Sequence, residues 1–309
     1  MMRHIFQRLA LILFWIYLAV FPGSTIVVAL DRVPSWGAWM GGALLLLQGA
    51  AVLCWLLGWH GARGGLAALL VFLLAWAIEH AGVTSGIPFG RYYYTGALQP
   101  QLLGTVPLAI PCAWLMVAVG AWQLSRGFRR PQAAGRTMNA STADLHPAAC
   151  VVCLLDQHKS NGRLALAATL VLLLDLQIET VATKINRYWS WRDGGPYYGV
   201  PTANFVAWWL IGLVMALVVA TILSRGWDGG MGRSADRQPG NYTARLAAHV
   251  SRRLPAYLYL LSTLMFAIIN LTHGYSVAGL IGVITLLVIA LASRPLGAQT
   301  TFSPGREVS

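Results

Sequence analysis

Residues 78–114 read IEHAGVTSGIPFGRYYYTGALQPQLLGTVPLAIPCAW, and the rest of the chain is organised around this stretch. It starts with an acid, Glu79, in an otherwise uncharged apolar run, passes through a turn rich in Gly, Pro and Tyr, and returns to apolar sequence. Residues 179–209 repeat this order with a second acid, Glu179, a Trp/Tyr/Gly/Pro loop and the run PYYGVPTANFVAWW. Two such hairpins in one hydrophobic chain predict a buried reaction site.

The composition is that of an integral membrane protein. Of the 309 residues, 57% are hydrophobic and 10% are charged, whereas soluble domains carry about 25% charged residues. Eight apolar runs approach the length of about 20 residues that crosses a bilayer. They lie at about 9–29, 40–59, 65–83, 104–124, 164–184, 202–224, 256–272 and 276–293. We therefore predict an all-α polytopic membrane helix bundle with about eight transmembrane helices, in a single domain over residues 1–294. Pro111 lies inside the fourth run and predicts a kink there.

Basic residues predict the orientation. Eight spans place both termini on one side of the membrane, together with 17 of the 22 Lys and Arg residues. By the positive-inside rule that side is cytoplasmic. We therefore expect a cell-membrane protein with cytoplasmic termini, cytoplasmic loops at about 125–163 and 225–255, and a disordered tail at 295–309. The net charge of +12 then reflects topology and attraction to anionic membrane lipids, and it does not indicate a nucleic-acid partner.

Three of the ten acidic residues fall in predicted spans, and they are the candidate catalytic groups. A carboxylate inside a membrane costs a few kcal/mol, so it needs a partner, a proton or a function. Asp175 and Glu179 lie four residues apart and share one helix face. Both cannot ionise cheaply, so one is expected to keep its proton, as a general acid must. Structural alternatives are an interfacial position for Glu79 and an ion pair of Glu179 with Lys184 or Arg187.

Aromatic and polar residues near the acids are the candidate substrate-binding groups. Asn204 is either a helix cap or a polar contact to the site, and His80 also fits a plain hydrogen-bonding role. The predicted set is His80, Tyr92, Tyr93, Tyr94, Trp189, Trp191, Tyr197, Tyr198 and Asn204. The acids of the two hairpins are 100 residues apart, and Trp114 and Trp208 are 94 apart. This spacing indicates a pseudo-repeat that places both acids at similar depth.

The support for a metal site is weak. The segment HPAACVVCLLDQH contains His146, Cys150, Cys153 and His158, but a single CxxC is only half of a zinc-ligand pattern. The seven His residues are scattered along the chain and do not form the clusters that a membrane di-iron oxygenase needs. We predict no metal and no cofactor.

Four stretches of the chain are distinctive: PFGRYYY, GTVPLAIPCAW, the helix that carries Asp175, and WSW…GPYYGVPTANFVAW. In these stretches the chain resembles the CruF-type carotenoid hydratases. That family includes gamma-carotene 1'-hydroxylase and bisanhydrobacterioruberin hydratase. The resemblance covers about residues 70–225, and it departs at Leu176, where the family pattern has a proline after the acid.

The resemblance implies hydration of the terminal C=C of an acyclic carotenoid, such as lycopene or gamma-carotene, to a tertiary alcohol. A carboxylic acid would protonate the alkene, water would attack the tertiary cation, and a second carboxylate would accept the released proton. We predict Asp175 as the acid and Glu179 or Glu79 as the base. The expected partners are a lipophilic carotenoid, membrane lipids and other enzymes of the same pathway.

A non-enzymatic function remains open from the sequence. A membrane transporter or a lipid-binding scaffold protein of carotenoid metabolism also suits the pattern, because carboxylates in spans can couple to protons. The concentration of aromatic residues on one side of the membrane favours the hydratase.

Overall fold

A computed structural model describes residues 2–37, 39–127, 148–224 and 242–293, which contain eight α-helices and four short strands. The helices are α1 (Met2–Ala29), α2 (Met40–His60), α3 (Ala62–Ser85), α4 (Ala109–Gly127), α5 (Ala148–Thr180), α6 (Thr202–Ser224), α7 (Tyr242–Thr272) and α8 (Ser276–Ala292). The strands are β1 (Tyr92–Tyr94), β2 (Gln101–Leu102), β3 (Val106–Pro107) and β4 (Trp189–Trp191). A 3-10 turn (Ser35–Gly37) precedes α2, and a π turn (Val181–Ile185) follows α5.

The helices form an all-α membrane bundle. Six of those described are long and apolar enough to cross a membrane, namely α1, α2, α3, α5, α6 and α7, and α8 is a shorter apolar helix. Large apolar side chains such as Ile12, Leu69, Leu210 and Leu287 are more than half exposed on the outer faces. Apolar surface on this scale needs lipid around it. The chain is therefore a multi-pass membrane protein.

Helix α4 forms the centre of the bundle. It packs against α2, α3, α5, α6 and α7, and every residue from Trp114 to Trp122 is buried. Small residues allow the close packing, since a Cβ at Gly120 would lie 2.8 Å from the Pro255 carbonyl oxygen of α7. Close approach at small residues is a common mode of helix association in lipid.

Four helices begin well away from their predicted positions, and α1 starts at Met2, before the predicted start at about residue 9. Helix α4 starts at Ala109, five residues late, because residues 101–107 form the β2–β3 hairpin. Pro111 therefore lies in the first helical turn, where a missing N–H breaks no intrahelical bond, and the argument for a kink no longer applies. Helices α5 and α7 start at Ala148 and Tyr242, inside segments predicted to be loops. Charged residues there lower the hydropathy without ending the helix.

The two hairpins meet in a small antiparallel sheet. Strands β1 and β4 pair in the register Tyr92–Trp191, Tyr93–Ser190 and Tyr94–Trp189. The sheet lies where α3 and α5 end and α4 and α6 begin. Because side chains alternate along a strand, the outer two aromatic residues of each strand share one face. Tyr93 points the other way and is 45% exposed.

Two predicted features fall outside what the structure describes. The tail at 295–309 and His146 lie outside the described residues, as do the side chains of Cys150, Cys153 and His158. Among the described residues, no group of His, Cys, Asp or Glu is arranged to hold a metal ion.

Candidate active site

A cavity of about 760 Å³ lies inside the bundle, on the inner side of the β1–β4 sheet. Its walls come from helices α1 to α7, the π turn and the β1–β4 sheet, and they are mostly apolar. Glu79, Glu179 and Asn204 are among the few polar residues that line it. This volume is in the usual range for small-molecule pockets, roughly 300–1,000 Å³.

Glu79 lies among three aromatic hydrogen-bond donors. The hydroxyl groups of Tyr92 and Tyr94 donate to its Oε2 at 2.6 and 2.7 Å. The indole Nε1 of Trp114 donates to its Oε1 at 2.9 Å. The side chain is 5% exposed, so Glu79 is shielded from bulk solvent by the protein. Hydrogen bonds from these three donors satisfy both oxygens of the buried carboxyl group.

The tyrosine donors are protonated. Burial raises the pKa of Tyr92 and of Tyr94, and the neighbouring Glu79 carboxylate raises it further. Both hydroxyl groups therefore keep their hydrogens and can donate them to Glu79. The alternating geometry of β1 explains why these two tyrosines, and not Tyr93 between them, reach the acid.

Glu179 has a matching set of donors from the second hairpin. Trp189 and Trp191 donate their indole N–H groups to its Oε2, at 3.3 and 2.9 Å. Asn204 donates from Nδ2 to its Oε1 at 3.3 Å. No Lys or Arg of the described residues forms an ion pair with this carboxylate. The ion pair of Glu179 with Lys184 or Arg187, which the sequence allowed, is therefore not formed among the described residues.

Asn204 connects Glu179 to Asp175. Its Nδ2 also donates to Asp175 Oδ2 at 3.1 Å, while Asp175 Oδ1 has no hydrogen-bond partner among the described residues. Helix α6 starts at Thr202, so Asn204 lies within the first turn and contacts the acids instead of capping the helix. Asp175 is fully buried and does not line the cavity.

The aromatic rings of the sheet join the two donor sets. The ring centroids of Tyr92 and Trp191 are 5.0 Å apart, and those of Tyr94 and Trp189 are 6.0 Å apart. Each ring of the sheet that donates to one acid thus contacts a ring of the other strand that donates to the other acid. The sheet fixes both carboxyl groups relative to each other and to the cavity.

Trp114 and Trp208 form a stacked pair on the cavity wall. Their ring centroids are 3.8 Å apart and their planes differ by 19°, and both line the cavity. Neither was among the predicted site residues. The signal for them was their equivalent position in the two hairpins, which placed a tryptophan after each acid and loop.

His80 and Tyr93 lie away from the cavity. His80 Nδ1 is 3.0 Å from Thr105 Oγ1, which ties α3 to the β2–β3 hairpin. The exposed ring of Tyr93 lies under the Arg192 guanidinium at 5.6 Å. Both residues are placed to support the loops around the site, and neither lines the cavity.

Tyr197 and Tyr198 also lie outside the cavity lining. Tyr197 donates to the Leu176 carbonyl at 2.8 Å, and Tyr198 accepts from the Val277 N–H at 3.3 Å. Burial raises the pKa of Tyr197, so its hydroxyl remains a donor. These contacts hold the second loop against α5 and α8.

An ion pair closes the outer side of the two hairpins. Arg91 Nη2 lies 2.7 Å from Asp193 Oδ1, and the Arg91 backbone N–H donates to Asp193 Oδ2 at 2.8 Å. The guanidinium holds the pKa of Asp193 below its usual value. The pair reinforces the β1–β4 connection from the solvent side.

Comparisons with known proteins agree on the family. A family model described as "Carotenoid biosynthesis protein" matches residues 40–291. The bisanhydrobacterioruberin hydratase of Haloarcula japonica is 29% identical over 158 residues, which is 50% of this chain and 44% of that protein. The match thus spans less than half the length of this curated relative. No solved structure matches.

Proposed function

This chain belongs to the carotenoid biosynthesis protein family, and from that premise we propose that it is a carotenoid hydratase. It would add water across the terminal C=C of an acyclic carotenoid end and form a tertiary alcohol. The observation that carries the proposal is the pair of buried carboxyl groups, Glu79 and Glu179, on one apolar cavity. The apolar walls suit a substrate drawn from the membrane, and the distant relative is named as a hydratase.

The partners of each carboxyl group support different roles. Two partners of Glu79 are hydroxyl groups, which both donate and accept hydrogen bonds. Glu79 can therefore hold a proton without losing these contacts, and we assign it as the acid. The groups that face Glu179 are all N–H donors, which match a carboxylate. We assign Glu179 as the base.

Asp175 has a supporting role in this proposal, in place of the acid role expected from the sequence. It lies behind Asn204 and does not line the cavity, so a proton on Asp175 has no direct path to a bound alkene. Through the shared Asn204 amide, Asp175 positions the carboxylate of Glu179.

In the proposed cycle, Glu79 transfers its proton to the inner CH carbon of the terminal C=C, and the π electrons form the new C–H bond. Positive charge develops on the tertiary carbon, where the Trp114 and Trp208 faces and the Glu179 carboxylate stabilise it. Water attacks this carbon, and Glu179 accepts the proton that water releases. One proton then returns to Glu79, so the net reaction consumes one alkene and one water.

Isosteric variants test these roles in detergent-solubilised enzyme supplied with lycopene. E79Q and E179Q remove one ionisable group each, and we expect kcat to fall by roughly 100-fold or more, as for loss of a general acid or base. D175N keeps a group that can bond to Asn204, and we expect a loss of less than about tenfold for this positioning role.

Full turnover in E79Q or E179Q would contradict the assignment. Full turnover in D175N would remove Asp175 from the mechanism altogether. Proton-driven carotenoid transfer between liposomes without any product would support the transporter instead.

We also propose that all eight helices cross the cell membrane with both termini in the cytoplasm, since 17 of 22 basic residues then lie on the cytoplasmic side. The β1–β4 sheet would then face outward. In a background without native cysteines, Tyr93→Cys should react with an impermeant thiol reagent in intact cells, and Arg8→Cys only after permeabilisation. The opposite labelling pattern would overturn this topology.

A further inference from the structure

The cavity has a second polar patch, formed by different helices from those that carry the acids. Gln48 of α2 and Ser262 of α7 both line the cavity, and both are buried. Tyr17 of α1 is fully buried and does not itself line the cavity, but its hydroxyl lies next to these two side chains, which do. The three residues are named the neutral polar cluster.

The cluster has unused hydrogen-bonding capacity. Gln48 Nε2 donates to Ser262 Oγ at 2.9 Å, and this is the only bond that either side chain makes within the described part of the chain. The Tyr17 hydroxyl makes no hydrogen bond of normal geometry with any described residue. The Gln48 carbonyl, its second amide hydrogen, the Ser262 hydroxyl hydrogen and the Tyr17 hydroxyl therefore remain available. Buried polar groups in native proteins are nearly always paired.

The position of the cluster separates it from the acids. Gln48 lies eight residues from the Met40 end of α2, or roughly 12 Å at the helical rise per residue. Tyr17 lies 12 residues from the Ala29 end of α1, or roughly 18 Å. The corresponding depth of Glu79 in α3 is roughly 9 Å. The cluster thus lies on other helices than the acids, while Gln48 and Ser262 line the same cavity.

The chemistry of the cluster selects its ligand. All three side chains are neutral, so a bound anion or cation would have no countercharge among them, and burying an unpaired charge is costly. The available groups include both hydrogen-bond donors and hydrogen-bond acceptors, which matches a ligand group that both donates and accepts. A hydroxyl oxygen meets this requirement. In this cavity it can come from water or from an alcohol group on a carotenoid.

We propose that Tyr17, Gln48 and Ser262 form a binding site for a hydroxyl oxygen, from water or from the alcohol of a hydroxylated carotenoid. The choice of carotenoid as the ligand rests on the proposed function. The site gives this mostly apolar cavity a means to distinguish hydroxylated from hydrocarbon chains, or to hold the water that the reaction consumes.

Binding measurements test the alcohol source without any need for turnover. Carotenoid binding is followed by quenching of tryptophan fluorescence, with lycopene and monohydroxylated lycopene as the probes. If the cluster binds the alcohol, wild type should bind the hydroxylated probe about 5- to 10-fold more tightly, the value of one net hydrogen bond. Tyr17→Phe and Ser262→Ala should lose this preference and bind lycopene as before, while Ser262→Thr should retain it.

Turnover measurements test the water source. If the cluster holds water, Tyr17→Phe should lower kcat for lycopene by about 5- to 10-fold. Wild type and variant should then each bind lycopene and hydroxylated lycopene with equal affinity. The melting temperature of Tyr17→Phe should not fall, because the hydroxyl has no partner among the described residues. A fall in melting temperature with no change in preference or kcat would show a purely structural role. Unchanged preference and unchanged kcat in both Tyr17→Phe and Ser262→Ala would overturn the proposal.

The two proposals fail in different ways. If wild type binds hydroxylated lycopene preferentially, Tyr17→Phe and Ser262→Ala lose this preference, and no product forms, the site stands and the hydratase proposal fails. If product forms and neither variant alters binding or kcat, the hydratase stands and the site fails.

Discussion

Substitution of Trp191 by Phe should slow the reaction much more than the same substitution of Trp189. Both indoles donate to the same oxygen, Glu179 Oε2, but at 2.9 Å from Trp191 and 3.3 Å from Trp189. A hydrogen bond to a charged group contributes about 1.5–3 kcal/mol. Loss of the shorter bond therefore predicts a kcat lower by about 10- to 150-fold for W191F, at about 1.4 kcal/mol per tenfold. The longer bond of Trp189 predicts a loss of less than about tenfold.

Packing alone predicts the opposite order. Trp189 is buried and Trp191 is only partly buried, so the loss of ring volume should harm W189F at least as much. The two explanations can therefore be distinguished by which of the two variants has the lower kcat. Trp209→Phe is the matched control, because its indole donates to Thr169 Oγ1, away from the acids, and its turnover should equal that of wild type.

The assay is the initial rate of product formation from lycopene in detergent, with the melting temperature of each variant measured in parallel. W191F should melt no lower than W189F and yet turn over more slowly. Equal losses of kcat, or a larger loss in W189F, would refute the claim that the indole hydrogen bonds set the activity of Glu179.

Three further predictions concern the framework of the site. A Cβ at Gly82 would lie 2.6 Å from the Phe89 ring and 2.9 Å from the Tyr92 hydroxyl, so Gly82→Ala should displace Tyr92 from Glu79 and destabilise the fold by about 1–3 kcal/mol. Gly96→Ala is the control, because a Cβ there would meet nothing within 4 Å, and thermal unfolding should show no loss of stability. Equal effects of the two substitutions would contradict the steric argument. Arg91 lowers the pKa of Asp193 from its usual 3.8, so the pair stabilises the fold above that pH and the contribution is lost as the pH falls through the lowered pKa. Wild type should therefore melt above D193N at neutral pH and converge with it in strong acid, and a gap that widens on acidification would show the sign to be wrong. Asn270 donates to the Gln177 carbonyl at 3.0 Å and accepts from Thr180, so Asn270→Ala should lower the free energy of unfolding by about 1–3 kcal/mol, and an unchanged value would show that these contacts between α5 and α7 are dispensable.

The sequence predicts the helices well because each needs a long apolar run. It also identifies the three buried acids, since a carboxylate in such a run is costly and conspicuous. The helical period places Asp175 and Glu179 on one face, but it does not say which of them reaches a cavity. That depends on α6, which brings Asn204 between the two acids.

The loops were harder to predict because their short strands have weak sequence signals. Once β1 is known, the two-residue period separates Tyr92 and Tyr94 from Tyr93. Without the strand, all three tyrosines are equivalent candidates. The partners Gln48 and Ser262 are 214 positions apart in the chain, so only the packing of α2 against α7 brings them together. The signal that was available was a lone polar residue, Gln48, in the apolar α2.

The most direct test of the central claim is the origin of the oxygen in the product. Cells that accumulate lycopene should express the chain while growing in water enriched in oxygen-18, and the pigments should then be analysed by mass. We expect a product heavier than lycopene by one labelled water for each reacted end, and no such product with E79Q. Oxygen drawn from molecular oxygen would contradict hydration by the two carboxyl groups.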